Sequence, residues 1–180
     1  MFFINKDQLQ KVIKNDYNLY SFESFYNSHN QFLIILTKSE CFGIEFDTLF
    51  ENICNKCHKR EVKNHVALVS VDGCIGVGKS TLIKLLKPNL EQECVFLDEP
   101  LSIWQSIYYY QDSGLNILEM FYQSIANDST KPDQSVNDMP YYFQSLVIFS
   151  RWLVLVYSKN SDIFLSERSV FSDRCIFINK

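Results

Sequence analysis

Apolar positions along the chain fall into short compact runs separated by longer stretches of helical period. Residues 66–71, 94–97 and 163–165 are runs of the first kind, and each leads into charged residues: Asp72, Asp98-Glu99-Pro100 and Glu167-Arg168-Ser169. Short continuous apolar runs predict strands covered on both faces, as in a parallel sheet. Residues 81–87 carry apolar positions suited to a helix packed on that sheet, closed off by Pro88. In 115–125, Leu115, Leu118, Tyr122 and Ile125 recur near helical spacing, and 141–157 reads as a long helix. On that helix Gln144 and Arg151 stand seven residues apart, two turns, so both lie on nearly one face. Residues 127–138 are polar and rich in breakers, which predicts an exposed loop, and 170–178 reads as a further helix. Nearer the N-terminus, 7–15 suits a short helix. Residues 31–37 and 41–46 read as two strands of a hairpin turning at Lys38-Ser39-Glu40, a small layer of its own. Strands alternating with helices predict an α/β fold around a parallel sheet, with an N-terminal extension over 1–62 and the main domain over 63–180.

The first compact run continues into Gly73-Cys74-Ile75-Gly76-Val77-Gly78-Lys79-Ser80-Thr81, a phosphate-binding loop of the form Gly-x4-Gly-Lys-Ser. Glycines let the backbone turn its N–H groups toward a phosphate with no Cβ in the way, and the helix that follows adds its dipole. Lys79 would neutralise the β- and γ-phosphates of ATP, and the Ser80 hydroxyl would ligate Mg²⁺. The strand before the loop and the helix after it are the context that this motif requires. Chemistry in a parallel α/β sheet collects at the carboxyl ends of its strands, which puts Asp98, Glu99, Glu167 and Arg168 on the same edge as the loop.

Composition narrows the partners. The 180 residues suffice for one domain plus an appendage, and a hydrophobic content of 47% with 15% aromatic residues excludes a disordered chain. A formal net charge of -4 gives no basic field for a nucleic-acid polymer. One of the six cysteines, Cys74, lies inside the phosphate loop, where a disulfide would obstruct a ligand; a reducing, cytoplasmic setting is expected, with mitochondrial or nuclear compartments left open. The apolar run 146–157 is broken by Ser150 and Arg151 and reads as a buried helix, so no membrane partner is expected. Cys54-x2-Cys57-His58, with His65 beyond, has the ligand types for zinc, but a second cysteine pair is missing, and free thiols beside a basic connector are the simpler reading.

Taken together the motifs resemble the deoxynucleoside kinase family. The resemblance covers about 66–177 and rests on Asp72 to Thr81, Asp98-Glu99-Pro100 with Trp104, Leu118-Glu119-Met120-Phe121-Tyr122, Phe143-Gln144-Ser145, and Glu167-Arg168-Ser169-Val170-Phe171-Ser172-Asp173-Arg174. It implies a three-layer P-loop kinase fold and ATP-dependent phosphorylation of a deoxynucleoside 5′-hydroxyl. By that resemblance Glu99 is the general base, Arg168 steadies it and the developing charge, and Glu167 joins Ser80 at Mg²⁺. Gln144 reads the base edge, Trp104 and Phe177 flank the base, and Tyr122 approaches the sugar 3′-hydroxyl. An arginine seven residues after the base-reading glutamine pairs, in the deoxycytidine and deoxyguanosine kinases, with the aspartate of Ser-Asp-Arg. Arg151 and Asp173 match those positions, which implies deoxycytidine or purine deoxynucleosides over thymidine. The family pattern continues past this sequence with a lid and further strands, so a nucleotide-binding remnant or regulatory subunit is the alternative from another class. A nucleoside monophosphate kinase such as thymidylate kinase is the enzyme alternative, and a homodimer is left open.

Overall fold

The computed structural model describes residues 2–17, 19–37, 42–58, 66–74, 76–109, 114–127, 139–158, 161–169 and 172. Three strands form a parallel sheet: β2 (Ala67–Val71), β3 (Val95–Leu97) and β5 (Ile163–Glu167), in the spatial order β2-β5-β3. The last strand in sequence is therefore the central one. Its register sets Val71 opposite Glu167 and Leu97 opposite Ser166, so the carboxyl ends of all three strands finish within one residue of each other.

Adjacent residues of β5 point to opposite faces, and the two faces are covered differently. Leu165 packs with Ile83 and Cys94 beneath helix α4 (Lys79–Leu90), with Val71, Leu86 and Phe96 alongside. Phe164 points the other way, into the large core built on helix α7 (Met139–Tyr157). Helix, sheet and helix make the three layers expected of an α/β fold. Pro88 does not end α4, which runs on to Leu90. It stands in the last turn, where the missing N–H costs one bond at an already fraying end.

The expected hairpin is overturned. Residues 22–37 form α2 (Phe22–Thr37) and 42–58 form α3 (Phe42–His58), after α1 (Lys6–Asp16). A strand through 31–37 would bury Phe32, Ile34 and Leu36 together. The helix instead buries Phe32, Leu33, Ile35 and Leu36 and leaves Ile34 40% exposed. Helical period appears once the run is joined to Phe25 and His29 upstream, at spacings of four and three residues. Nor do these helices form a separate layer, because Phe32 stacks on Phe149 of α7 at 3.9 Å and Phe50 on Trp152 at 4.8 Å. At the start of the chain β1 (Phe2–Ile4) pairs antiparallel with β4 (Ile107–Tyr109), while α1 begins at Asn5, whose side chain accepts the Gln8 N–H at 3.1 Å. Helices α5 (Leu101–Trp104) and α6 (Ile117–Asn127) complete the described elements.

A buried polar seam runs between α2 and α7. His29 has no exposed surface; its Nδ1 faces the Phe25 carbonyl at 3.3 Å and its Nε2 the Ser150 hydroxyl at 3.3 Å. A carbonyl only accepts, so Nδ1 carries the hydrogen and neutral Nε2 accepts from Ser150. Two residues of the N-terminal helices give tests of this packing. Phe32→Ala is expected to cost about 3–5 kcal/mol in urea unfolding, because it opens a cavity against α7; a cost below about 1 kcal/mol would mean that α2 is peripheral. Burial holds the His29 imidazole down at about 4 against an ordinary 6.5, with the Phe25 carbonyl only partly opposing it. The unfolded chain thus takes up the proton first on acidification. Stability is complete above 6.5 and falls by about 3 kcal/mol as the pH drops to about 4. His29→Gln removes this part of the pH dependence, and an unchanged slope in urea midpoints between neutral and acid pH would contradict the assignment.

Candidate active site

The phosphate loop, Asp98-Glu99 and Glu167-Arg168 each stand at or just past a strand's carboxyl end. After β2 the chain turns through Asp72 and Gly73 into the phosphate loop. Gly76 (φ 81°) and Gly78 (φ 95°) occupy the left-handed region, and Gly78 is the N-cap of α4. A side chain at either would strain the turn that lets α4 start directly under the loop. Lys79 is the first residue of α4 and is 8% exposed; its Nζ donates to the Cys74 carbonyl at 2.8 Å, which folds the ammonium over the loop. Ile75 lies outside the described residues.

Ser80 and Glu167, both expected at a metal, meet across the sheet edge: Ser80 Oγ donates to Glu167 Oε1 at 2.8 Å. Glu167 is 8% exposed, and among the described residues its carboxylate has a neutral hydroxyl and no cation as partner. A carboxylate taken out of water calls for countercharge. Hydroxyl plus carboxylate, hard oxygen donors beside a phosphate loop, form a donor set that suits a divalent cation such as Mg²⁺.

Past β3, Glu99 meets Arg151 of α7. Arg151 Nη2 donates to Glu99 Oε1 at 2.6 Å and Nη1 to the Glu167 carbonyl at 2.5 Å. Arg151 is 9% exposed; the partner that the resemblance implies, Asp173, lies outside the described residues, and the carboxylate found against it is that of Glu99. Trp104 lies against the same guanidinium, 5.9 Å from its carbon to the ring centroid, and meets Phe143 edge-on at 5.4 Å. Gln144, one position on from Phe143, is half-buried. Asp98, Pro100, Arg151, Arg168 and Ser169 line a small hollow at this edge.

Other expected residues stand apart. Tyr122 of α6 is 62% exposed, its ring 5.8 Å from that of Phe121. Arg168 adopts φ 64°, and its N–H donates to the Val71 carbonyl at 3.2 Å, which ties the end of β5 to the end of β2. Asp173, Arg174, Phe177, His65 and the side chains of Cys57 and His58 lie outside the described residues. Asp72 is a residue whose role the motif did not reveal. It accepts from Ser70 Oγ at 2.6 Å and from the Ser169 N–H at 3.4 Å, so it links the start of the phosphate loop to the segment after β5. Partial burial works to raise its carboxyl, but Ser172, Ser70, the Ser169 N–H and the Arg168 charge together hold it below the usual aspartate value.

The deoxynucleoside kinase family model matches residues 69–180. The chain belongs to this family. Rat deoxycytidine kinase is 28% identical over 144 residues, covering 71% of this chain and 51% of the relative. Mitochondrial deoxyguanosine kinase of Xenopus laevis is 34% identical over 126 residues, covering 62% and 43%. A probable deoxycytidine kinase of fowlpox virus is 32% identical over 111 residues, covering 61% and 38%. The chain thus spans about half the length of these relatives. Family membership fixes the three-layer P-loop kinase fold that the sheet order and its two helical faces display. Among the described residues no helix is long and apolar enough to cross a membrane.

The loop lysine supplies a direct test. Lys79→Ala should leave the far-ultraviolet spectrum unchanged and weaken Mg²⁺·ATP binding about ten- to a hundredfold in calorimetric titration, the loss of one charged hydrogen-bonding group. Wild-type affinity in the variant would remove Lys79 from the nucleotide site.

Proposed function

We propose that the chain carries the phosphate-binding half of an ATP-dependent deoxynucleoside kinase and transfers the γ-phosphoryl group of ATP to a deoxynucleoside 5′-hydroxyl. The observation that carries this reading is the meeting of Ser80–Glu167 and Glu99–Arg151 at one sheet edge. A group that accepts a hydroxyl proton and a group that suits the nucleotide's metal thus adjoin one phosphate loop.

In the reaction the 5′-oxygen forms a bond to the γ-phosphorus while the bond to the β,γ-bridging oxygen breaks and ADP leaves. Glu99 takes the 5′-hydroxyl proton. Lys79 and the loop N–H groups hold the phosphates in line, since such a transfer needs mostly position and charge neutralisation. Ser80 and Glu167 would hold Mg²⁺, which supplies charge neutralisation on the phosphates when bound. Arg168, at the tight turn after β5, answers the charge that develops on transfer. Gln144 offers a paired donor and acceptor for a base edge, with Trp104 and Phe177 flanking the base and Tyr122 toward the sugar.

Substrate preference follows from the arginine on α7. A buried Arg151, which by the resemblance would also pair with Asp173, would narrow the space for a thymine 5-methyl group and favour deoxycytidine or a purine deoxynucleoside, the substrates for which the similar kinases are named. A cytoplasmic, reducing setting agrees with the exposed thiol of Cys74 inside the loop.

Transfer of labelled phosphate from ATP to a panel of deoxynucleosides tests the reading. Deoxycytidine or a purine nucleoside should be phosphorylated ahead of thymidine, and Glu99→Gln should keep nucleoside binding while turnover falls about 10²- to 10⁴-fold. Binding of ATP without transfer to any nucleoside would leave a nucleotide-binding subunit instead, and thymidine as best substrate would overturn the preference.

A further inference from the structure

Arg151 occupies the middle of α7, among Leu146, Val147, Leu153 and Val154, all nearly inaccessible to water. A guanidinium does not escape burial by losing its proton, so this position calls for countercharge and for hydrogen bonds to its two terminal nitrogens. The structure meets the demand from three elements at once. Glu99 Oε1, just past β3, accepts at 2.6 Å; the main-chain oxygen of Glu167, at the end of β5, accepts at 2.5 Å; the Trp104 ring of α5 lies under the guanidinium at 5.9 Å. The side chain of Arg151 is 7% exposed and that of Glu99 is 31% exposed, so the arginine is the fixed member and the carboxylate faces the open side.

We propose that Arg151 is the positioning residue and counter-ion of Glu99, a role separate from any part it takes in choosing the nucleobase. It engages Oε1 and leaves Oε2, which has no partner among the described residues, to receive the substrate proton. The same guanidinium holds the Glu167 main chain, so the base and the carboxylate of the metal site are set relative to each other by one planar group with two fixed donors. The proposal rests on the kinase reading for its catalytic consequence and on geometry alone for the pair.

Two measurements separate these parts. In urea unfolding, a cycle of Arg151→Met, Glu99→Gln and the double variant should show the two substitutions coupled by at least about fivefold in the unfolding equilibrium constant. In turnover, Arg151→Met should lower kcat about ten- to a hundredfold with KM for the nucleoside changed less than about threefold. Arg151→Lys should recover part of the loss. Methylguanidinium, far below denaturing concentration, should restore part of kcat to Arg151→Ala and none to Glu99→Gln, and the loss of kcat should appear with deoxycytidine and thymidine alike, whatever the change in their ratio. Additive unfolding effects would overturn the pair itself. Coupling with an inactive wild type would overturn the kinase reading and leave the counter-ion assignment standing. An active wild type whose Arg151→Met variant keeps its kcat, or changes only the base ratio, would overturn the positioning role.

Discussion

The parallel pairing of Ile163–Glu167 between its two neighbours is the constraint on which the site depends. Parallel strands share a direction, so their carboxyl ends share an edge, and the registers set Val71 opposite Glu167 and the end of β3 one residue short of it. The phosphate loop, the Ser80–Glu167 pair and the Glu99 carboxylate come from segments nearly a hundred residues apart, and this ladder assembles them. A register slip of one residue in β5 would turn Glu167 away from Ser80 and Phe164 out of the α7 core at the same time. Packing and chemistry therefore enforce one another: the side chains that seat β5 between two helical layers also fix its charged end.

Around that ladder the molecule concentrates charge where water is scarce. Lys79, Glu167 and Arg151 are each less than a tenth exposed, and each is met by a specific oxygen or hydroxyl within 3 Å. Such groups need little reorganisation when a charged ligand arrives, which is how a phosphoryl-transfer site lowers its barrier. Helix α7 underlies this arrangement because it presents Arg151 to the site on one side and Phe149 and Trp152 to the N-terminal helices on another. The stacked rings of α2 and α3 thereby steady the helix that carries the arginine. That gives the N-terminal helices α2 and α3 a physical connection to the site through α7.

Local chemistry was legible in the sequence and distant pairing was not. The phosphate loop, the strand ends and the long helix follow from spacing within about twenty residues, where glycine geometry and period leave few options. The hairpin at 31–46 failed because the five consecutive apolar residues from Phe32 to Leu36 carry too little period to separate helix from strand, and the decisive positions, Phe25 and His29, lie upstream of the run. Pairing of β1 with β4 joins Phe2–Ile4 to residues a hundred positions away, and three-residue strands leave no pattern of their own. Helical spacing told that Arg151 shares a face with Gln144. It did not tell which carboxylate stands opposite, because that depends on where β3 ends relative to α7. Asp72 was hidden for a similar reason: its partners, Ser169 and Ser172, come from the far end of the domain.

The proposed convergence of the Ser80–Glu167 pair, the phosphate loop and Glu99 on one substrate oxygen is open to one direct measurement. With Mn²⁺ in place of Mg²⁺ alongside a non-hydrolysable ATP analogue, paramagnetic relaxation of the protons of bound deoxycytidine reports their distance from the metal. The expected result is the strongest relaxation at the two 5′-methylene protons, weakening through the sugar to the base, and its loss in Glu167→Gln. Equal relaxation at base and 5′-methylene protons, or none in the ternary complex, would contradict the arrangement of the site described above.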